Sequence, residues 1–222
     1  MAELYHLGVP TSAVPRLAIL VDPLLGVASV AGATGGRALA SRREYVSFLG
    51  AWDDQEIVVT TVGIGAPPLA IAIEELARSG TEAMVLLGTA TFFGVPTRWL
   101  LPHGAARGDG TSGQYAPPQF PAVPDPRLRT ALAGASGTSA SHGLVETVDV
   151  LDAEEPTDGP AAGRDLRCAA LYVVAAVRGV RAAALLTEPP GGEGNPRTGA
   201  VDDMAVAACR ALTGMDEGRG EP

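Results

Sequence analysis

Cysteine and aromatic residues are scarce in this chain. Its 222 residues include two cysteines and 5% Phe, Trp and Tyr. Cys168 and Cys209 both fall in apolar helical patterns, which reads as two small buried hydrophobes. No Cys/His spacing supports zinc, and a disulfide is not expected. Basic clusters are also missing, Arg42-Arg43 being too short to count, and the net charge is −9. Nucleic-acid surfaces need a basic stripe, so that class is excluded. No apolar run approaches the ~18 residues of a membrane span. The first residues lack the basic region and apolar core of a signal peptide. The expected setting is cytoplasmic, with no membrane and no nucleic acid as partner. What the chain does have is 46% hydrophobic residues, which suits an α/β protein packed with Ala, Val and Leu. Its length fits one domain, expected over 1–213, with a disordered tail at 214–222.

The most informative stretch is 58–91. Two apolar runs, 57–62 and 83–87, each end in a Gly-bearing turn, Gly-Ile-Gly and Gly-Thr-Ala. Such runs read as buried strands. Between them, residues 66–79 place Leu69, Ile73, Leu76 and Ala77 on one helical face, with Pro67 near the start and Gly80 at the stop. This is a βαβ unit, and its strands are expected to be parallel neighbours. Ligands of open parallel sheets sit beyond the carboxyl ends of the strands, which places a site at 63–65 and 88–91.

Elsewhere, strands are expected at 16–21, 45–52, 99–106, 143–151 and 182–187. Residues 22–40 read as a Gly/Ala-rich loop and helix. Asp53-Asp54 is an acidic turn between strands. The Gly/Pro-rich 107–124 is a loop, because dense proline forbids regular ladders. Helices are expected at 125–135, 165–179 and 198–212, the first capped by Asp125 with Pro126 at its first position. The acidic 152–163 reads as a surface loop.

The 58–91 stretch resembles the nucleoside phosphorylase superfamily, most closely its uridine phosphorylase branch. So do Tyr5-His6-Leu7-Gly8, Ser41-Arg42-Arg43-Glu44-Tyr45 and the block 107–124. The resemblance spans roughly residues 5–213. It implies a three-layer α/β/α sandwich with a mixed central sheet. It also implies assembly of the chain as a dimer or hexamer, and a nucleoside-like or anionic small molecule as ligand.

The resemblance also locates a site. His6 and Arg43 correspond to residues donated across a dimer interface. Gly63, Gly65, Gly88, Thr89 and Ala90 correspond to the turns around ribose and phosphate. Asp165, Leu166 and Arg167 fall on the motif that opens the ribose-binding helix. Several of the family's chemical groups are absent. Leu25 and Leu86 stand where two phosphate-binding arginines are usual, which makes phosphate doubtful as a co-substrate; no other cofactor is implied. Arg167 stands where a carboxylate accepts from the ribose hydroxyls, and guanidinium has no acceptor. It could hold an anion instead, especially near a helix N-terminus, or be a solvated surface residue. The family's pyrimidine-reading Gln and Arg have no counterpart near 148–152. Glu188 follows the last strand where purine-specific relatives place a general acid, and it could equally cap a turn. No metal ligand is expected.

The leading expectation is a divergent family member that binds a nucleoside-like molecule. Any reaction would be N-glycosidic cleavage or a repurposed relative of it, with weak or absent phosphorolysis. One alternative is an inactive subunit that completes the site of an active paralogue. The other is an ordinary uridine phosphorylase.

Overall fold

Side-chain alternation along the central strands divides the core in two. In β1 (Leu17–Val21), Ala18 and Leu20 face one apolar cluster, while Leu17, Ile19 and Val21 face the other. In β5 (Ala83–Thr89), Met84 and Leu86 join the first cluster, and Ala83, Val85 and Leu87 the second. A strand buried on both faces needs helices on both sides. The computed structural model, which describes residues 2–94, 97–150, 159–189 and 198–215, supplies them. Helices α2 (Ala66–Arg78) and α5 (Cys168–Val177) cover the first cluster. Helices α1 (Val27–Ala33), α4 (Pro126–Ser136) and α6 (Thr198–Thr213) cover the second. The result is the expected three-layer α/β/α sandwich.

The remaining strands are β2 (Arg37–Arg42), β3 (Tyr45–Trp52), β4 (Gln55–Thr61), β6 (Thr91–Phe92), β7 (Trp99–Gly108), β8 (Ala140–Val148), β9 (Ala161–Asp165) and β10 (Arg181–Thr187). They form one mixed sheet in the order β2-β3-β4-β1-β5-β10-β7-β8-β9-β6. The four strands β4, β1, β5 and β10 run parallel. Their carboxyl ends therefore open on the same side.

This order corrects one expectation. β4 and β5 are parallel but not adjacent, because β1 lies between them, with Leu20 opposite both Thr60 and Leu86. A crossover helix spans two strand spacings, about 10 Å, as readily as one. Apolar runs therefore show that two strands are buried without showing what fills the gap. Two strands went unread within segments taken as loops. β2 is a half-exposed strand at the sheet edge with no fully buried residue and no apolar period. β9 takes up residues 161–165, while most of the expected acidic loop, 152–158, lies outside the described residues. The turn joining β3 to β4 has positive φ at both Asp53 and Asp54, the conformation a tight two-residue hairpin requires.

The proline-rich segment after β7 contains a short helix, α3 (Ser112–Tyr115), and is held by side chains. Arg107 Nε donates to Ser112 Oγ at 3.0 Å, and its two Nη atoms donate to the carbonyls of Ala116, Pro117 and Phe120 at 2.6–2.9 Å. Asp109 accepts from both the backbone N–H and the hydroxyl of Ser112. Side chains thus replace the ladder that proline forbids.

Both cysteines are free and buried, one in each core cluster. Burial, and then the neighbouring Asp165, push the Cys168 thiol well above its ordinary value, so it behaves as an inert hydrophobe. Among the described residues no helix is long and apolar enough to cross a membrane. Of the tail expected at 214–222, Gly214 and Met215 form a turn after α6, with Met215 packed on the second cluster; residues 216–222 lie outside the description.

Candidate functional site

Four chain segments converge beyond the carboxyl ends of the parallel strands. β1 delivers Asp22 and β5 delivers Thr89. The turn after β4 brings Gly63 and Ile64, and the segment between β9 and α5 brings Asp165, Leu166 and Arg167. With Ala90, Thr91, Val150, Arg164 and Pro189 they enclose a cavity of about 350 Å³, within the range of small-molecule sites.

The floor of the cavity is a buried ion pair. Arg167 is 3% exposed and Asp22 1% exposed. Arg167 Nη1 donates to Asp22 Oδ2 at 2.8 Å, and Nη2 donates to the Gly63 carbonyl at 2.8 Å. That carbonyl sits on left-handed backbone, with φ +66°, and a Cβ there would press on Pro68 and Glu44. Thr89 Oγ1 donates to Asp22 Oδ2 at 2.6 Å, and the Leu24 N–H donates to Oδ1 at 3.0 Å. The carboxylate thus meets one cation and two further donors, which is the condition under which a buried charge survives. Arg167 Nε is buried without a protein partner.

Asp165 has a different role. Its Oδ2 accepts from the N–H groups of Arg167 and Cys168 at 2.9 and 2.7 Å, and Oδ1 accepts from Thr147 at 2.6 Å. It caps the first turn of α5, which therefore begins at Cys168 and not at 165 as expected. Burial pushes its carboxyl up, and the hydrogen bonds from Thr147, Cys168 and Arg167 oppose that without cancelling it. The other arginine of the cavity, Arg164, donates to Glu146 Oε2 through Nε and Nη2, both at 3.0 Å. Both arginines that line the cavity therefore carry a carboxylate partner from the same chain.

The mouth is apolar. Leu24, Ile64 and Val150 are 59%, 72% and 56% exposed and all line it, so half of the large hydrophobic side chains exposed among the described residues gather here. A cluster of that kind marks a binding surface more often than scattered single residues do.

The expected site residues sort as follows. Thr89, Ala90, Asp165, Leu166 and Arg167 line the cavity. Gly63 touches it through its carbonyl bond to Arg167, and Gly65 begins α2 beside it. Gly88 is buried, with Leu186 where a Cβ would go. Glu188 follows β10 next to Pro189 of the cavity and is not itself among the lining residues. His6 and Arg43 do not line this cavity and sit together elsewhere, with the Arg43 guanidinium 5.9 Å from the Tyr5 ring and Tyr5 edge-on to His6.

Three expectations need correction. Arg167 is not a solvated surface residue, because its charge is matched inside the protein. Leu25 and Leu86 do not wall the cavity. Leu86 alternates into the cluster under α2 and α5 with no exposure, and Leu25 closes a 3-10 turn into the opposite cluster, leaving Leu24 to face the site. Asp22, which opens the stretch read as a Gly/Ala-rich loop and helix, is the anion at the centre. The sequence carried its signal: a carboxylate at the carboxyl end of a fully apolar strand must find a cation or several hydrogen-bond donors.

No family model matches the chain. It is 29% identical over 206 residues to a uridine phosphorylase of Treponema pallidum, covering 82% of this chain and 80% of the relative. It is 29% identical over 200 residues to a guanosine phosphorylase of Halorubrum lacusprofundi, covering 84% and 83%. Among solved structures, uridine phosphorylase from Vibrio fischeri superposes with a TM-score of 0.87 at 22% identity, over 96% of this chain and 98% of that one. Purine nucleoside phosphorylase from Toxoplasma gondii, in complex with immucillin-H, gives 0.87 at 23% identity over 98% of each.

Proposed function

We propose that this chain, which belongs to the nucleoside phosphorylase superfamily and is uridine phosphorylase-like, binds a nucleoside-like molecule in the cavity beyond its strand ends. Any reaction there is cleavage or rearrangement at a ribosyl or similar carbon, with phosphorolysis weak or absent. The observation that carries this reading is the pairing of both cavity arginines, Arg167 with Asp22 and Arg164 with Glu146. A phosphate dianion entering the site must compete with carboxylates already in place, and its desolvation is then poorly repaid. An uncharged ligand with one apolar face meets no such obstacle, and Leu24, Ile64 and Val150 offer that face. Arg167 serves as the group that fixes Asp22 and the Gly63 turn, and Thr89 completes the same network.

A thermal-shift panel tests the reading. Uridine or guanosine at about a hundred times its dissociation constant adds about 2.7 kcal/mol of stability, which raises the midpoint of a chain this size by about 5 °C or more. Inorganic phosphate alone is expected to move it by less than ~1 °C. Equal stabilisation by phosphate, or none by any nucleoside, would contradict the reading.

A second reading rests on the placement of His6 and Arg43. Both lie away from the chain's own cavity, where they could serve a neighbouring copy in a dimer or hexamer, or an active paralogue. Co-expression with an intact paralogue separates these cases. Mixed oligomers on native mass spectrometry, whose activity drops with His6→Ala and Arg43→Ala, support the paralogue. Exclusive self-assembly rules it out.

A further inference from the structure

Outside the cavity, Glu75, on α2, is a carboxylate held by the first residues of the chain. Its Oε1 accepts from the His6 N–H at 2.8 Å and lies 2.8 Å from His6 Nδ1; its Oε2 accepts from the Leu7 N–H at 3.0 Å. The Glu75 side chain is 11% exposed and the imidazole 32%. Neighbours tie down the same short segment. Arg42 donates to the Tyr5 carbonyl at 3.0 Å and to Glu3 at 2.6 Å, and the Tyr5 ring stands edge-on to the imidazole at 4.8 Å. A segment four to seven residues from the start of the chain is thereby fixed as firmly as a core turn.

We propose that Glu75 is the positioning residue for His6, and that it commits the neutral imidazole to one tautomer. Glu75 already accepts two backbone N–H groups, and an ionised carboxylate can only accept. The atom that faces it, Nδ1, must therefore carry a proton. A neutral ring has one N–H, so Nε2 is left as an acceptor. Whatever meets His6 then presents a donor, such as a hydroxyl of an uncharged ligand, and not the oxygen of an anion. This rests on the reading above only in assigning that donor to a ligand bound in a neighbouring copy.

The chain has three histidines, which makes the tautomer directly readable. In His142 the arrangement is reversed: Arg129 Nη2 donates to its Nδ1 at 2.7 Å, so the proton belongs on Nε2. Burial, with Arg129 and His103 nearby, holds His142 below the ordinary imidazole value, which keeps it neutral. Long-range proton–nitrogen spectra of the wild-type oligomer, recorded with neutral imidazoles and assigned with His6→Gln, are expected to show His6 protonated on Nδ1 and His142 on Nε2. Glu75→Gln is expected to shift His6 toward Nε2 protonation and leave His142 unchanged, the latter confirming that the variant folds. By calorimetry, Glu75→Gln is expected to weaken uridine binding about tenfold, the worth of one hydrogen bond, and to add nothing in a His6→Ala background. Wild-type His6 protonated on Nε2 would overturn the proposal. So would a tautomer shift that leaves uridine affinity unchanged. If uridine fails to bind the wild type at all, the ligand reading falls while the spectra still decide the role of Glu75.

Discussion

Replacing Arg167 with alanine is expected to cost about 3–5 kcal/mol of folding stability, the loss measured when one partner of a buried ion pair is removed. The cost arises from what stays behind. Asp22 keeps its bonds from Thr89 and Leu24 and loses the cation paired with it at 1% exposure, and the Gly63 carbonyl loses its donor. Domains of this kind hold about 5–15 kcal/mol in total, so about a fifth or more of the stability rests on one guanidinium. In urea the midpoint is expected to fall by about 1–2 M. Arg167→Glu is expected to be at least as damaging. A carboxylate at this position, as the family resemblance implies, would be set against Asp22, so the substitution cannot recreate a ribose site in isolation. Pairing Arg167→Gln with Asp22→Asn is expected to recover part of the loss, because no uncompensated charge remains. A variant Arg167→Ala within ~0.5 kcal/mol of wild type, the range of ordinary surface substitutions, would show the residue to be solvated and would remove the ion pair from the account.

The sequence disclosed the layers of the fold and hid the contacts of the site, for physical reasons. Alternation and Gly-bounded apolar runs are local, so β1, β3, α2 and α4 could be read directly; the cap on α4 is the expected Asp125, bonded to the Leu128 N–H at 2.8 Å. Strand order is not local. The parallel runs around α2 say nothing of β1, which lies 40 residues earlier at Leu17–Val21 and enters between them. β2 carries half-exposed Arg, Ala and Ser without a period, so nothing marked it as a strand. The Asp22–Arg167 pair joins residues 145 apart in the chain. Each half left a trace, a carboxylate ending an apolar strand and an arginine opening an apolar helix, yet neither names its partner. Leu25 and Leu86 were read by their correspondence to arginines elsewhere. Their side chains follow burial instead, and both point into the core. Glu75 was legible only as one of two acidic residues in an amphipathic helix, and its contact with His6 depends on how the first residues fold back on α2.

The resemblance implies phosphate-binding arginines where Leu25 and Leu86 stand, and the two arginines that line the cavity are held by Asp22 and Glu146. Each missing charge-assisted bond is worth about 1.5–3 kcal/mol, so two amount to roughly two to four powers of ten in the use of phosphate. Arg43 of a neighbouring copy could supply one cation at most. The direct test is a steady-state assay of the purified protein with uridine and inorganic phosphate, following uracil release and varying each reactant. The account predicts release below ~1% of the ordinary enzymatic range of about 1–10³ s⁻¹, with no saturation by phosphate at millimolar concentration. Turnover inside that range, saturating with phosphate, would contradict it and establish an ordinary uridine phosphorylase.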